Sequence, residues 1–140
     1  MRRISLLILL GLLSFRAMSQ EGEMNDKKEV DPRLVEVFGD QLEKLVLNDK
    51  DRLNGLNLLL EKRVKIIIEP YATNEKYPKL SEFSVNNSYN KDLKRDEVID
   101  VNTFNVLKYN LSFFSNREIK YYRVDNTDYL IKILSQNLKE

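Results

Sequence analysis

The 140-residue sequence has no cysteine, no histidine and no tryptophan, and it has only four glycines. Without histidine or cysteine the chain cannot build a Ser-His-Asp or Cys-His nucleophile, and it lacks the ligands of the usual zinc sites. The absence of a Gly-x-Gly-x-x-Gly pattern excludes the phosphate-cradling loops of dinucleotide enzymes. We therefore expect no cofactor, no bound metal and no disulfide, and the composition argues against most hydrolase mechanisms.

The first nineteen residues have the pattern of an export signal. Two arginines precede an apolar run from Ile4 to Phe15, and Ala17 and Ser19 form a small-residue cleavage site. Arg16 ends the run short of the roughly 20 apolar residues that a membrane span needs, so a membrane anchor is the weaker interpretation. The site, followed by glutamine, resembles export signals common among Gram-negative bacteria, which implies a periplasmic or extracellular protein. We expect cleavage after Ser19 and no stable membrane insertion afterwards.

The charge of the chain changes when the signal is set aside. The full sequence has 23 basic and 22 acidic residues, but three arginines and no acid lie within residues 1–19. The rest has 20 basic against 22 acidic residues, a net charge of −2. A slightly acidic chain with charges of alternating sign lacks the basic surface of nucleic-acid-binding proteins. We therefore expect no nucleic-acid partner.

The chain after the signal has the length of one domain. Residues 20–30 are polar without an apolar period, which is typical of a flexible leader, and a single domain is predicted over residues 31–140. Asp31-Pro32 is typical of a helix start, because aspartate caps free amide groups and proline has no donor to lose there. The apolar residues that follow lie on one helical face. They are Leu34, Val35, Phe38, Leu42, Leu45 and Val46.

A second helix is predicted after the polar run at residues 48–51. Asp49 or Asp51 is its cap, and its apolar stripe comprises Leu53, Leu56, Leu59 and Leu60. Gly55 lies inside this stripe and weakens the helix by up to about 1 kcal/mol relative to alanine. We interpret it as a position of close packing against another element. The two helices are predicted to form a hairpin.

From Val64 the sequence changes to a strand pattern. The dense β-branched residues from Val64 to Glu69, ended by Pro70, predict a strand buried on both faces. Near the C-terminus three apolar-polar segments are separated by turn-forming residues, and they span residues 107–113, 118–124 and 129–134. They predict a three-stranded antiparallel meander.

The last two of these segments define a hairpin with Asn126-Thr127 at its tip. The predicted pairs are Val124 with Tyr129, Tyr122 with Ile131 and Lys120 with Ile133. This face is apolar and suits packing against the helices. The opposite face is mixed and suits solvent or a partner; it carries Tyr121, Arg123, Leu130 and Lys132.

The predicted fold class is therefore α+β, with an N-terminal helical hairpin packed on an antiparallel sheet of four or five strands that ends in the meander. Between the helices and the meander, residues 71–105 show only one short predicted strand, at residues 83–85. Connections of such length are uncommon in compact domains and are often functional. Either this segment contains an unrecognised element or it binds a partner.

Candidate binding residues are aromatic and basic, because tyrosine and arginine are favoured at interfaces. They are Tyr77, Tyr89, Arg95, Tyr121 and Arg123. No catalytic residue is predicted. Charged residues make up 32% of the chain, so acids that are close in sequence carry little information about an active site.

Two functions remain open at this stage. The first is an exported, non-enzymatic accessory protein that binds a protein or cell-envelope component through residues 71–105 or the mixed hairpin face. The second is a small-molecule-binding pocket protein or a simple acid–base enzyme that uses aspartate and tyrosine. The oligomeric state does not follow from the sequence.

Overall fold

The computed structural model describes residues 29–70 and 75–137, so the predicted signal and most of the leader lie outside it. The helices are α1 (Pro32–Phe38) and α2 (Lys50–Leu58). Shorter helical turns follow them: 3₁₀ turns at Gly39–Gln41, Leu80–Glu82 and Val106–Lys108, and π-helical turns at Glu43–Leu47 and Leu59–Arg63. The strands are β1 (Val64–Ile68), β2 (Lys120–Arg123) and β3 (Tyr129–Ile133). None of the helices in these two ranges has the length and apolar character needed to cross a membrane.

Both helices begin at the predicted aspartates. Oδ1 of Asp31 accepts a hydrogen bond from the backbone N–H of Arg33 at 2.9 Å, and the carboxylate also pairs with the Arg33 guanidinium at 2.7 Å. This side-chain hydrogen bonding holds the pKa of Asp31 below its usual range. Asp49 caps α2 through a 3.0 Å bond from the N–H of Arg52, so the first of the two predicted caps is confirmed.

The described strands form one antiparallel sheet in the order β1-β3-β2. The β2–β3 hairpin has the predicted register, with Tyr122 opposite Ile131 and Lys120 opposite Ile133. The strand on the other side of β3, however, is β1 and not the segment at residues 107–113. Over residues 29–70 and 75–137 the predicted α+β class is correct. The sheet of these residues has three strands instead of the predicted four or five, and of the predicted meander it contains the β2–β3 hairpin.

The segment at residues 107–113 is not a strand because a local hydrogen bond competes with the ladder. The side chain of Asn105 accepts from the N–H of Leu107 at 3.1 Å and starts the 3₁₀ turn. After the turn a single bridge joins Tyr109 to Val85, and this bridge is what remains of the predicted strand at residues 83–85. The apolar alternation in this segment therefore reflects the burial of its side chains and does not indicate strand pairing.

The strand β1 differs from its prediction. It was expected to be buried on both faces, but it lies at an edge of the sheet, where Lys65 is exposed and the side chain of Ile68 is 76% exposed. The central position belongs to β3, whose Leu130 and Ile131 are almost completely buried. Because β3 separates β1 from β2, it alone among the described strands has a paired strand on both sides.

The apolar core lies between the helical segments and the face of the sheet that carries Tyr122 and Ile131. The largest fully buried side chains in this cluster are those of Leu34, Val37, Val46, Leu59, Val106, Tyr109, Ile131 and Ile133.

The core boundary also contains a buried arginine. The helical turns join α1 and α2 into two helical segments, residues 32–47 and residues 50–63. Arg63, at the end of the second helical segment, is 7% exposed. Its guanidinium donates to the carbonyl of Leu134 at 2.8 Å and 3.1 Å and to the carbonyl of Phe113 at 2.5 Å. Burial lowers the pKa of Arg63. This side chain joins the helices, the end of β3 and residues 75–119, which form the irregular segment before β2.

We predict that Arg63→Met lowers the free energy of unfolding by about 2–3 kcal/mol, because it leaves the Phe113 and Leu134 carbonyls without their charged donor. Urea unfolding followed by circular dichroism measures the difference. The control is Lys62→Met, since Lys62 is exposed and its replacement should change stability by less than about 0.5 kcal/mol. Equal losses in the two variants would contradict the role of Arg63.

Candidate functional site

An open groove of about 460 Å³ lies between the helical segments and the irregular part of the chain. Its lining is mainly apolar and aromatic and includes Phe38, Leu56, Tyr89, Leu107, Phe113 and Phe114. Polar groups lie among these residues: Asp51, Arg52, Asn86 and Gln136. We refer to this site as the aromatic groove.

Two stacked rings form one side of the aromatic groove. The ring centroids of Phe38 and Tyr89 are 5.1 Å apart with an interplanar angle of 21°. The guanidinium of Arg52 lies 5.5 Å from the centre of the Phe38 ring. On the groove lining, the residues Tyr89 and Phe114 are 37% and 54% exposed. Such large apolar rings in contact with water favour binding of an apolar group.

The position of Tyr89 follows from the end of α1. Gly39 has a φ of 49°, which is the left-handed region that glycine adopts most easily, and the chain turns there. A Cβ at this position would lie 3.6 Å from the Cβ of Asn90. The side-chain amide of Asn90 donates to the carbonyl of Glu36 at 2.8 Å, which fixes the neighbouring Tyr89 beside Phe38.

The glycine in α2 faces this groove and not a packed neighbour. A Cβ on Gly55 would meet no heavy atom within 4 Å, so the predicted role in close packing is wrong. Glycine inside a helix lowers stability by about 0.5–1 kcal/mol relative to alanine. The effect of Gly55 on this surface is instead to leave the groove open.

Three of the predicted binding residues lie together at the β2 edge of the sheet. The rings of Tyr77 and Tyr121 are stacked with centroids 4.8 Å apart, and Nζ of Lys76 lies 5.1 Å from the Tyr77 ring centre. Arg123 projects from the same strand face as Tyr121 and is 9% exposed. Its N–H donates to the carbonyl of Pro78 at 2.9 Å. The face predicted to be open to solvent or a partner is therefore partly covered.

The other two predicted residues are separate from this group. Tyr89 lies at the aromatic groove, as described above. Arg95 donates to the carbonyls of Leu80 (3.3 Å) and Phe83, and its guanidinium carbon lies 5.1 Å from the Tyr109 ring centre. The geometry of Arg95 holds the turn at residues 80–83 against the core.

Phe114 and Arg52 are not among the binding residues predicted from the sequence. One signal was present: the pair Phe113-Phe114 breaks the apolar-polar alternation, so two adjacent rings cannot both point into the core. The position of Arg52 beside Phe38 had no sequence signal, because it depends on how the two helical segments meet.

Acidic and basic groups converge at a second place. Asp96 accepts from Nζ of Lys108 at 2.5 Å and from the hydroxyl of Tyr109 at 2.9 Å. Nζ of Lys108 is also 3.2 Å from Glu36, whose other oxygen accepts from Asn105 at 2.8 Å.

The two proton donors of this cluster, Lys108 and Tyr109, have raised pKa values. Burial opposes the charge of Lys108, but its bonds to Asp96 and Glu36 raise its pKa. Burial raises the pKa of the Tyr109 hydroxyl. At neutral pH both groups keep their protons, so neither supplies a base. Within residues 29–70 and 75–137 no group of three or more acidic side chains is placed to hold a metal ion.

The chain matches no protein-family model, no curated protein and no solved structure.

We predict that Tyr109→Phe makes stability less dependent on alkaline pH. The raised pKa of Tyr109 means that its contribution is complete below the unfolded value of about 10 and is lost as pH rises through the folded value. The free energy of unfolding, measured with urea from pH 8 to 11.5, should be lower for the variant at pH 8. The difference from the wild type should shrink above pH about 10. A constant difference at every pH would contradict this assignment.

Proposed function

We propose that this chain is an exported, non-enzymatic binding protein whose aromatic groove takes an apolar or aromatic group of a protein or cell-envelope component. The observation that carries the proposal is the aromatic groove itself, with the exposed rings of Tyr89 and Phe114. Export rests on the signal pattern of residues 1–19. In this proposal the two helical segments form the predicted hairpin on the sheet, and the groove lies beside it.

The composition of the groove supports binding of a macromolecule. Aromatic side chains and arginine are enriched at the centres of protein interfaces, where polar residues surround an apolar interior. The groove combines Phe38, Tyr89 and Phe114 with the polar groups of Asp51 and Arg52. An aromatic or aliphatic anchor of a partner would lie against the rings, and the polar groups at the rim would orient it.

A small molecule in the same groove is the second candidate. The volume of about 460 Å³ lies within the range of roughly 300–1,000 Å³ that is usual for small-molecule sites.

An acid–base enzyme has less support. Among the described carboxyl groups, those with a resolved shift are Asp31, Glu118 and Asp125, and each has a lowered pKa. A general acid needs a raised value instead.

We predict that Gly55→Trp abolishes binding in the groove while Gly55→Ala preserves it. The indole fills the open space in front of α2, whereas the methyl group meets no atom within 4 Å. The alanine variant should also gain about 0.5–1 kcal/mol of stability. Partners are captured by crosslinking the exported, tagged chain in its cell envelope, and bound small molecules are identified by native mass spectrometry.

Recovery of the same partner or ligand with the wild type and with Gly55→Trp would overturn the groove as the binding site. The variants Tyr89→Ala and Tyr77→Ala separate this site from the tyrosine pair at the β2 edge. Loss of the partner only with Tyr89→Ala supports the aromatic groove. Loss only with Tyr77→Ala assigns binding to the hairpin face.

A further inference from the structure

The two edges of the sheet differ in what lies beside them. The backbone of β2 is already engaged on its outer side, where Arg123 bonds to Pro78 and forms a bridge with Lys79. Across residues 29–70 and 75–137, no strand pairs with the outer side of β1. The sheet therefore has one covered edge and one edge that is open within the described chain.

The register shows which backbone groups point outward from β1. The N–H of Leu134 donates to the carbonyl of Arg63, and the N–H of Glu69 donates to the carbonyl of Asp128. Because hydrogen-bonded pairs alternate along an antiparallel ladder, the odd-numbered residues of β1 face β3. The N–H and C=O groups of Ile66 and Ile68 and the C=O of Val64 consequently point away from the sheet, while the N–H of Val64 donates to the carbonyl of Leu59.

A groove of about 840 Å³ runs beside this edge. The side chains of Val64 and Ile66 contribute to its lining, together with Phe104 and Val106 from the irregular segment. Glu36, on α1, also lines it. We call it the edge groove. It shares no lining residue with the aromatic groove.

We propose that the β1 edge binds an extended segment of a partner protein as a fourth strand. Backbone groups that project from an edge strand are satisfied by another strand, and alternate side chains of that strand would enter the edge groove. This surface has no lining residue in common with the aromatic groove, so variants of one leave the residues of the other unchanged and the two proposals are tested separately.

The size of the edge favours a peptide over a second copy of the chain. Five residues of β1 extend over about 17 Å, which is enough for one short strand. A stable protein dimer usually buries about 1,600 Å² in total, and a single pair of five-residue strands supplies much less.

The charges beside the edge groove indicate which residues the bound segment of the partner carries. The Arg33 guanidinium is already paired with Asp31 at 2.7 Å. The side chain of Glu36 stays 43% exposed although it contacts Lys108 at 3.2 Å. An incoming lysine or arginine can therefore approach Glu36. The segment that fits has apolar residues at alternate positions and a basic residue on the same face.

The test uses the chain expressed with its own signal and purified in exported form. The probe is a fluorescent seven-residue peptide of sequence TVTVTKT, whose two valines and lysine share one face. Fluorescence anisotropy should show saturable binding. Methylation of the backbone nitrogens that pair with β1 should weaken it by about tenfold or more, because the strand then lacks donors. Undiminished binding of the methylated peptide, or no binding of the parent peptide, would overturn the proposal.

Variants locate the peptide on β1. Ile68→Pro removes an outward N–H, and Ile68→Thr is its matched control at a side chain that is 76% exposed. Only the proline variant should lose binding. Replacing the peptide lysine by glutamate should weaken binding to the wild type. The Glu36→Gln variant should show a preference for the lysine peptide over the glutamate peptide that is about tenfold smaller.

Sedimentation equilibrium measures the oligomeric state and so tests whether a second copy of the chain occupies the edge. A dimer of the wild type that becomes monomeric with Ile68→Pro would show that a second copy occupies the edge, and the peptide proposal would then be wrong. If Ile68→Pro does not fold, the methylated peptide tests the same hydrogen bonds on the unchanged protein.

Discussion

The structure depends on how the backbone of residues 75–119 satisfies its hydrogen bonds. This stretch contains two 3₁₀ turns and no strand, yet residues 104–109 within it are buried, as are Leu80, Leu93 and Leu111. Buried N–H and C=O groups without partners are strongly unfavourable, so other groups must take the place of a sheet ladder. Here polar side chains do so. Arg95 bonds to the carbonyls of Leu80 and Phe83, and the Tyr122 hydroxyl accepts from the N–H of Ser112 at 3.0 Å.

This arrangement places charged and polar side chains inside a small domain. Arg63 and Lys108 are each 7% exposed; Arg63 donates to the carbonyl of Phe113 and Lys108 to the carboxylate of Asp96. Asn105 is 2% exposed and bonds to α1 as well as to its own turn. Because these side chains bind atoms far apart in sequence, the irregular segment is held in one position. Both grooves use this segment as a wall, so their shapes depend on the same interactions.

The candidate site was only partly predictable from the residues. Tyrosine composition pointed to Tyr77, Tyr89 and Tyr121, and the structure pairs the first with the third but places Tyr89 beside Phe38. Arg95 is also a predicted binding residue, and its guanidinium donates to the carbonyls of Leu80 and Phe83. Composition cannot distinguish these roles, because an arginine that orders a loop and one that meets a partner are the same residue type. The distinction depends on which carbonyls the fold brings within reach.

The sequence by itself determined the features that depend on neighbouring residues. These are the cap at Asp31, a cap of α2 at either Asp49 or Asp51, the β2–β3 hairpin register, and the absence of histidine and cysteine chemistry. The tertiary structure decided that β3 is central, that β1 is an edge and that the space in front of Gly55 is empty. Caps and tight turns are governed by hydrogen bonds within a few residues. Strand order and groove shape arise from contacts between segments distant along the chain, and apolar periodicity does not specify which segments meet.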